Sequence, residues 1–97
     1  MNDAERSYHR ELGTSLKDAR KSANLTQQQL ANAMGIQRTS ITNKEKGNQA
    51  ISVWDLVTIC RICKADISEM LPKVDVPVTD NLEAMASMSL TDRVELY

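Results

Sequence analysis

Leu12, Leu16, Ala19 and Ala23 recur at steps of three and four with polar and charged residues between them, the spacing of one helical face. The pattern predicts a first helix from about Arg6 to Ala23. Thr26 can then accept a hydrogen bond from the unpaired amide of Gln28 or Gln29, and Gln29 completes a capping-box pattern. A second helix is expected from Gln27 to about Met34, burying Leu30, Ala31 and Met34. Gly35 follows where a left-handed backbone is wanted. A third short helix runs from Gln37 or Arg38 to about Lys46, with Ile41 and Glu45 on one face and Arg38, Thr39, Thr42, Asn43 and Lys46 on the other. Gly47 ends it. Ser52 can cap a fourth helix through about Lys64, whose apolar stripe is Val53, Leu56, Val57, Ile59, Cys60 and Cys63, and Asp66 to Leu71 makes a fifth turn stopped by Pro72. The following KVDVPVTD reads as an extended linker. In the tail, Leu82, Met85, Met88, Leu90, Val94 and Leu96 form a weakly amphipathic series with a break at Ser89.

Composition narrows this to one small all-α domain. The chain has 97 residues, 41% hydrophobic and only 3% aromatic, so its core must be aliphatic, which suits packed helices better than sheets. No apolar stretch approaches the roughly 20 residues of a spanning helix, and the polar start MNDAERSYHRE lacks a secretory signal's apolar segment. A cytoplasmic protein without membrane contact is expected.

The net charge of −1 hides a division along the chain. Residues 10–49 carry seven basic side chains against three acidic ones, whereas residue 50 onward carries four against eight. A polyanion would be met by the first part and repelled by the second. The basic part contains LTQQQLANAMGIQRTSITNKEKG, Leu25 to Gly47: a capped helix, a glycine turn and a second helix whose outer face has little to bury. Seated in a major groove, Arg38 can reach guanine O6 and N7 bidentately, Asn43 can pair with adenine, and Thr39 and Thr42 can contact base edges or thymine methyls.

This stretch resembles the helix-turn-helix DNA-binding family of phage repressors and Cro-like (XRE-type) regulators. Leu12, Gly13, Leu16 and Arg20 fit the family's first helix, Leu25 to Gly47 its second and third, and Leu56 to Leu71 its fourth and fifth. The resemblance implies a lambda-repressor-like five-helix bundle over residues 10–72, flanked by an N-terminal extension (1–9) and a linker and tail (73–97). It places Gln27 on a DNA phosphate and has Lys46, Asn48 and Gln49 grip the backbone, with Gln37 and Ser40 serving either role. Arg20 and Glu45 correspond to a buried ion pair that ties helix 1 to the end of helix 3. Lys44 stands where relatives usually carry an apolar or aromatic residue; its stem can lie over the core with its ammonium toward phosphate, which makes it a further candidate for the backbone.

The remaining chemistry-bearing residues favour plain roles. Cys60 and Cys63 lie on the apolar stripe and behave as small hydrophobes; with one histidine, no closed zinc site can be assembled. His9 is expected to be an exposed helix residue. Trp54 fits a surface contact and the edge of the core equally well. No side-chain grouping suggests catalysis, and no cofactor or metal is expected. One short helix reads few base pairs, so a homodimer on a palindromic operator follows, acting on transcription as a repressor. The tail would dimerise or bind a protein partner through residues 74–97. An antitoxin, a restriction-modification controller or an interaction module without DNA binding remain the alternatives.

Overall fold

Four of the five helices among the described residues begin at a side-chain cap, the one starting at Arg38 being the exception. Thr26 Oγ1 accepts from the Gln29 amide at 3.0 Å while Gln29 Oε1 accepts from the Thr26 amide at 2.9 Å, the reciprocal pair that satisfies two otherwise unpaired donors. Ser52 Oγ accepts from the Asp55 amide at 3.1 Å. Asp66 Oδ1 accepts from both the amide and the hydroxyl of Ser68, which holds its exposed carboxyl below the ordinary carboxylate range. The computed structural model describes residues 2–73, and the regular elements among them are α1 (Asp3–Ser22), α2 (Gln27–Met34), α3 (Arg38–Lys46), α4 (Val53–Cys63) and α5 (Ile67–Met70). The described residues are thus all-helical, in the expected five-helix order. The predicted linker and tail, with Leu82, Met85 and Met88, lie outside the described residues.

α1 begins earlier than periodicity predicts. Asn2 Oδ1 accepts from the Glu5 amide at 2.8 Å, and Asp3 and Glu5 occupy the first turn, where the helix dipole favours carboxylates. Residues 3–9 are therefore the start of a 20-residue helix and not a separate extension. Tyr8, within that start, packs against the core.

The core is aliphatic and sulfur-containing: Leu12 and Leu16 from α1, Leu30 and Ala31 from α2, Ile41 from α3, Leu56, Ile59 and Cys60 from α4, and Met70 from α5. Fully burying a side chain the size of leucine or isoleucine is worth about 1.5–3 kcal/mol, so these few residues carry the fold. α1 packs on α3, α4 and α5, and α2 on α3 and α4. The α1–α3 contact is a backbone approach, since a Cβ on Gly13 would lie 2.5 Å from the carbonyl oxygens of Lys44 and Glu45.

α4 corrects the predicted stripe. Leu56, Ile59 and Cys60 point inward, but Val53 is 76% exposed and Val57 41%. Val53 is related to them by the same steps of three and four but is the first residue of the helix, and Val57 lies on the flank of the inward face. Trp54 lies on the far side, 79% exposed, which decides it as a surface residue. Cys60 Sγ sits 3.3 Å from Met70 Sδ, Cys63 is half-buried, and burial raises the pKa of both thiols. Among the described residues no group of side chains could hold a metal ion, and no helix is long and apolar enough to cross a membrane.

Candidate nucleic-acid interface

The turn between α2 and α3 is built around Gly35. Its φ of 69° lies in the left-handed region, and it lets the Ile36 amide reach Ala31 O at 3.0 Å and its own amide reach Asn32 O at 3.2 Å. Both bonds satisfy carbonyls that the end of α2 leaves unpaired. Ala31 is fully buried, and its small side chain allows α3 to cross close to α2.

α3 then divides cleanly in two. Ile41, Lys44 and Glu45, at steps of three and four, are buried, while Arg38, Thr39, Asn43 and Lys46 are exposed and Thr42 is half-buried. Gln37, Asn48 and Gln49 at its ends are exposed, and Ser40 is half-buried. Lys44 is the exception to the sequence reading. It is only 3% exposed, with its ammonium 3.9 Å from Asp55 Oδ2. Its place between Ile41 and Glu45 turns its stem into the interior and its charge toward α4, away from the surface a phosphate could reach.

Arg20 and Glu45 anchor the inner face. Arg20 Nε donates to Glu45 Oε2 at 2.7 Å and Nη2 to Oε1 at 3.1 Å, while Nη1 donates to Leu25 O at 2.8 Å. One guanidinium thereby joins α1, the α1–α2 loop and α3 through the fork geometry that matches a carboxylate. The hydrogen bond to Glu45 raises the Arg20 pKa above its ordinary value, against the opposing effect of burial.

Gln27, the first residue of α2, extends this cluster outward. Its Nε2 donates to Glu45 Oε1 at 3.1 Å, and its Oε1 accepts from Thr42 Oγ1 at 3.0 Å and Arg38 Nε at 3.4 Å. Separations of 11, 15 and 18 residues hid this grouping from periodicity. The structure brings Gln27, Arg38 and Thr42 together, with Asn43 and Thr39 beside them on the same helix, and places Lys46 a turn further on. The second feature the sequence concealed is the exposed apolar face of α4, which continues into a groove of about 260 Å³ lined by Val57, Cys60, Arg61, Ala65, Asp66 and Ile67.

Comparison with known proteins bears on the same region. Residues 11–71 match the model of a helix-turn-helix domain family. No curated protein matches the sequence significantly. Among solved structures, the restriction-modification controller protein C.AhdI from Aeromonas hydrophila is similar in fold, with a TM-score of 0.62 at 20% identity over 67% of this chain and 98% of that one. The clp gene regulator ClgR from Corynebacterium glutamicum gives 0.62 at 23% identity, covering 91% of this chain and 83% of its own. The S. venezulae BldD DNA-binding domain gives 0.61 at 20% identity over 68% and 99%. With most of its described residues inside the family match and the capped α2, the glycine turn and α3 arranged as above, the chain belongs to the helix-turn-helix domain family.

Proposed function

We propose that the protein binds double-stranded DNA sequence-specifically as a homodimer on a palindromic operator and represses transcription there, in the cytoplasm. The observation that carries this is the outer face of α3: polar, basic and free of core duties, yet held rigidly from behind by the Arg20–Glu45 pair. In this reading residues 10–72 are the DNA-binding domain. Arg38, Thr39, Thr42 and Asn43 read base edges, while Gln37, Ser40, Lys46, Asn48 and Gln49 contact the backbone. Repression follows if the occupied operator excludes polymerase.

Selection of bound sequences from a random duplex pool tests the reading. A palindrome with half-sites about 10 bp apart is expected. Arg38→Ala should then cost about 1–3 kcal/mol and relax preference at one base position, whereas Lys46→Ala should weaken all duplexes alike and flatten the salt dependence. Equal losses on selected and random DNA for both variants would reject this division of roles. No enrichment and no salt dependence would favour an interaction module instead.

The dimer is proposed to form through α4 and α5, where Val53, Trp54 and Val57 are exposed beside the apolar groove. A two-fold contact is self-complementary, and this face carries Arg61 and Asp66 together, so each can meet its opposite on the other copy. Val57→Asp is expected to sediment as a monomer and lose cooperative operator binding; a dimer of undiminished stability would move the interface elsewhere. The tail is proposed to reinforce the contact, so truncation after Lys73 should weaken the dimer, and unchanged sedimentation would assign the contact to α4 and α5 alone.

A further inference from the structure

α3 and α4 are placed relative to one another mainly through other helices, since α3 packs on α1 and α2, and α4 on α1, α2 and α5. Among the described residues a single ion pair links the two directly, Lys44 Nζ to Asp55 Oδ2 at 3.9 Å. Both helix ends favour it. Lys44 lies in the last turn of α3, where the helix dipole attracts a cation, and Asp55 in the first turn of α4, where it attracts a carboxylate. Lys44 is buried, and a buried ammonium that loses its counter-charge is strongly unfavourable, so the first turn of α4 must stay close to it. A separation of 3.9 Å is too long for a hydrogen bond, and an ammonium is a compact charge without the planar fork of a guanidinium. The link therefore restrains the distance between the helices and leaves its direction free. An apolar side chain, which the family resemblance puts at this position, would pack there without being held to one group on α4.

We infer that Lys44 and Asp55 are a positioning pair that sets the spacing of the two operator half-sites the dimer accepts. This rests on the DNA-binding and dimer readings above: α3 reads bases and α4 carries the subunit contact, so the separation of the two recognition helices follows from the placement of α3 relative to α4 in each copy. One base pair added between the half-sites moves them about 3.4 Å apart along the duplex and turns them by roughly 35°. Shared by two subunits, the shift is about 1.7 Å each.

An α3 that follows its half-site while α4 stays in the dimer contact stretches the pair. Opening it by that amount from 3.9 Å removes about 30% of the attraction, which falls as the inverse of distance. At an effective dielectric constant of ~20 the loss is close to a ten-fold penalty in each subunit. Asp55 is only half-buried, so solvent screens the pair, and roughly ten-fold for the whole dimer is the expected scale.

The test measures binding of the full chain to the duplex selected by the wild type and to the same duplex with one base pair added between the half-sites. Lys44→Met keeps the length of the stem and removes the charge, and Asp55→Asn removes the partner charge with little change of shape. The wild type should prefer its own spacing, and Lys44→Met should reduce that preference roughly ten-fold while base preferences within each half-site stay intact. Asp55→Asn added to Lys44→Met should change the preference no further, because the effect of each passes through the other. Neither Lys44→Met nor the double variant strands a buried ammonium, so both remain decisive if Asp55→Asn alone fails to fold. A purely structural role would lower the thermal midpoint and weaken both duplexes alike. That pattern, or a spacing preference that Lys44→Met leaves unchanged, overturns the inference while the DNA-binding and dimer readings stand. A wild type that binds both spacings equally overturns the dimer reading together with the inference, and one that selects no sequence overturns the DNA-binding reading as well.

Discussion

Glu45→Ala should unfold the protein at far lower denaturant, with a loss of about 3–5 kcal/mol, because it strands a buried guanidinium without its counter-charge. Arg20 is only 7% exposed and spends three of its five N–H donors on Glu45 and Leu25. Removing the carboxylate leaves two of those donors and a full charge unsatisfied in the interior. Replacing both partners by apolar residues, as in Arg20→Met with Glu45→Leu, should cost far less, since no charge is then left behind. Equilibrium urea unfolding of the two variants separates the penalty of a broken pair from the net worth of an intact one. A loss under about 1 kcal/mol for Glu45→Ala, the range of an exposed pair, would show that water reaches Arg20. The Arg20 pKa is raised in the folded state, so its contribution is full below the unfolded-state value and is lost only as pH rises through the folded one. That window is strongly alkaline. The Arg20 side of the pair should therefore give no change in stability across neutral pH.

Gly13→Ala is the second large effect expected, at about 3 kcal/mol, the upper end of overpacking costs. The atoms a Cβ would strike are the backbone carbonyls of Lys44 and Glu45 at 2.5 Å, not the tip of a side chain that can swing aside. α1 and the last turn of α3 would have to separate. Gly35 supplies the contrast within the same molecule, since its Cβ would meet nothing within 4 Å and only its φ of 69° opposes substitution. Gly35→Ala should cost about 1–2 kcal/mol, the ordinary penalty for a left-handed residue with a side chain. Thermal unfolding that ranked Gly35→Ala as the worse of the two would show that α1 and α3 do not meet at Gly13 as described.

Legibility in the sequence followed the range of the interactions. Both ends of α2 were readable because they are encoded within three residues, by Thr26 with Gln29 and by Gly35. The start of α1 was not, because its first turns have no apolar periodicity and are begun by a single side chain, Asn2. Val53 and Val57 were misread because an apolar residue on a helix announces burial without saying whether its own core or another surface covers it. Lys44 escaped because its neighbours in sequence are polar and its partner, Asp55, is on another helix. The Arg20–Glu45 pair was legible only through the family resemblance. The link from that pair through Gln27 to α3 depends on three helices meeting at one point, and no local pattern encodes such a meeting.

The division of α3 into two faces has a consequence for how this chain can change over time. Ile41, Lys44 and Glu45 answer to the interior, whereas Thr39, Asn43 and Lys46 touch nothing the fold requires. Drift at the inner positions is filtered by stability before any target is consulted. Drift at the outer ones is invisible to folding, so under the DNA-binding reading proposed above duplicated copies of this gene would acquire new targets in single steps while inheriting an unaltered scaffold. Arg38 and Thr42, tied to Gln27, stand between these regimes and should change only together with it.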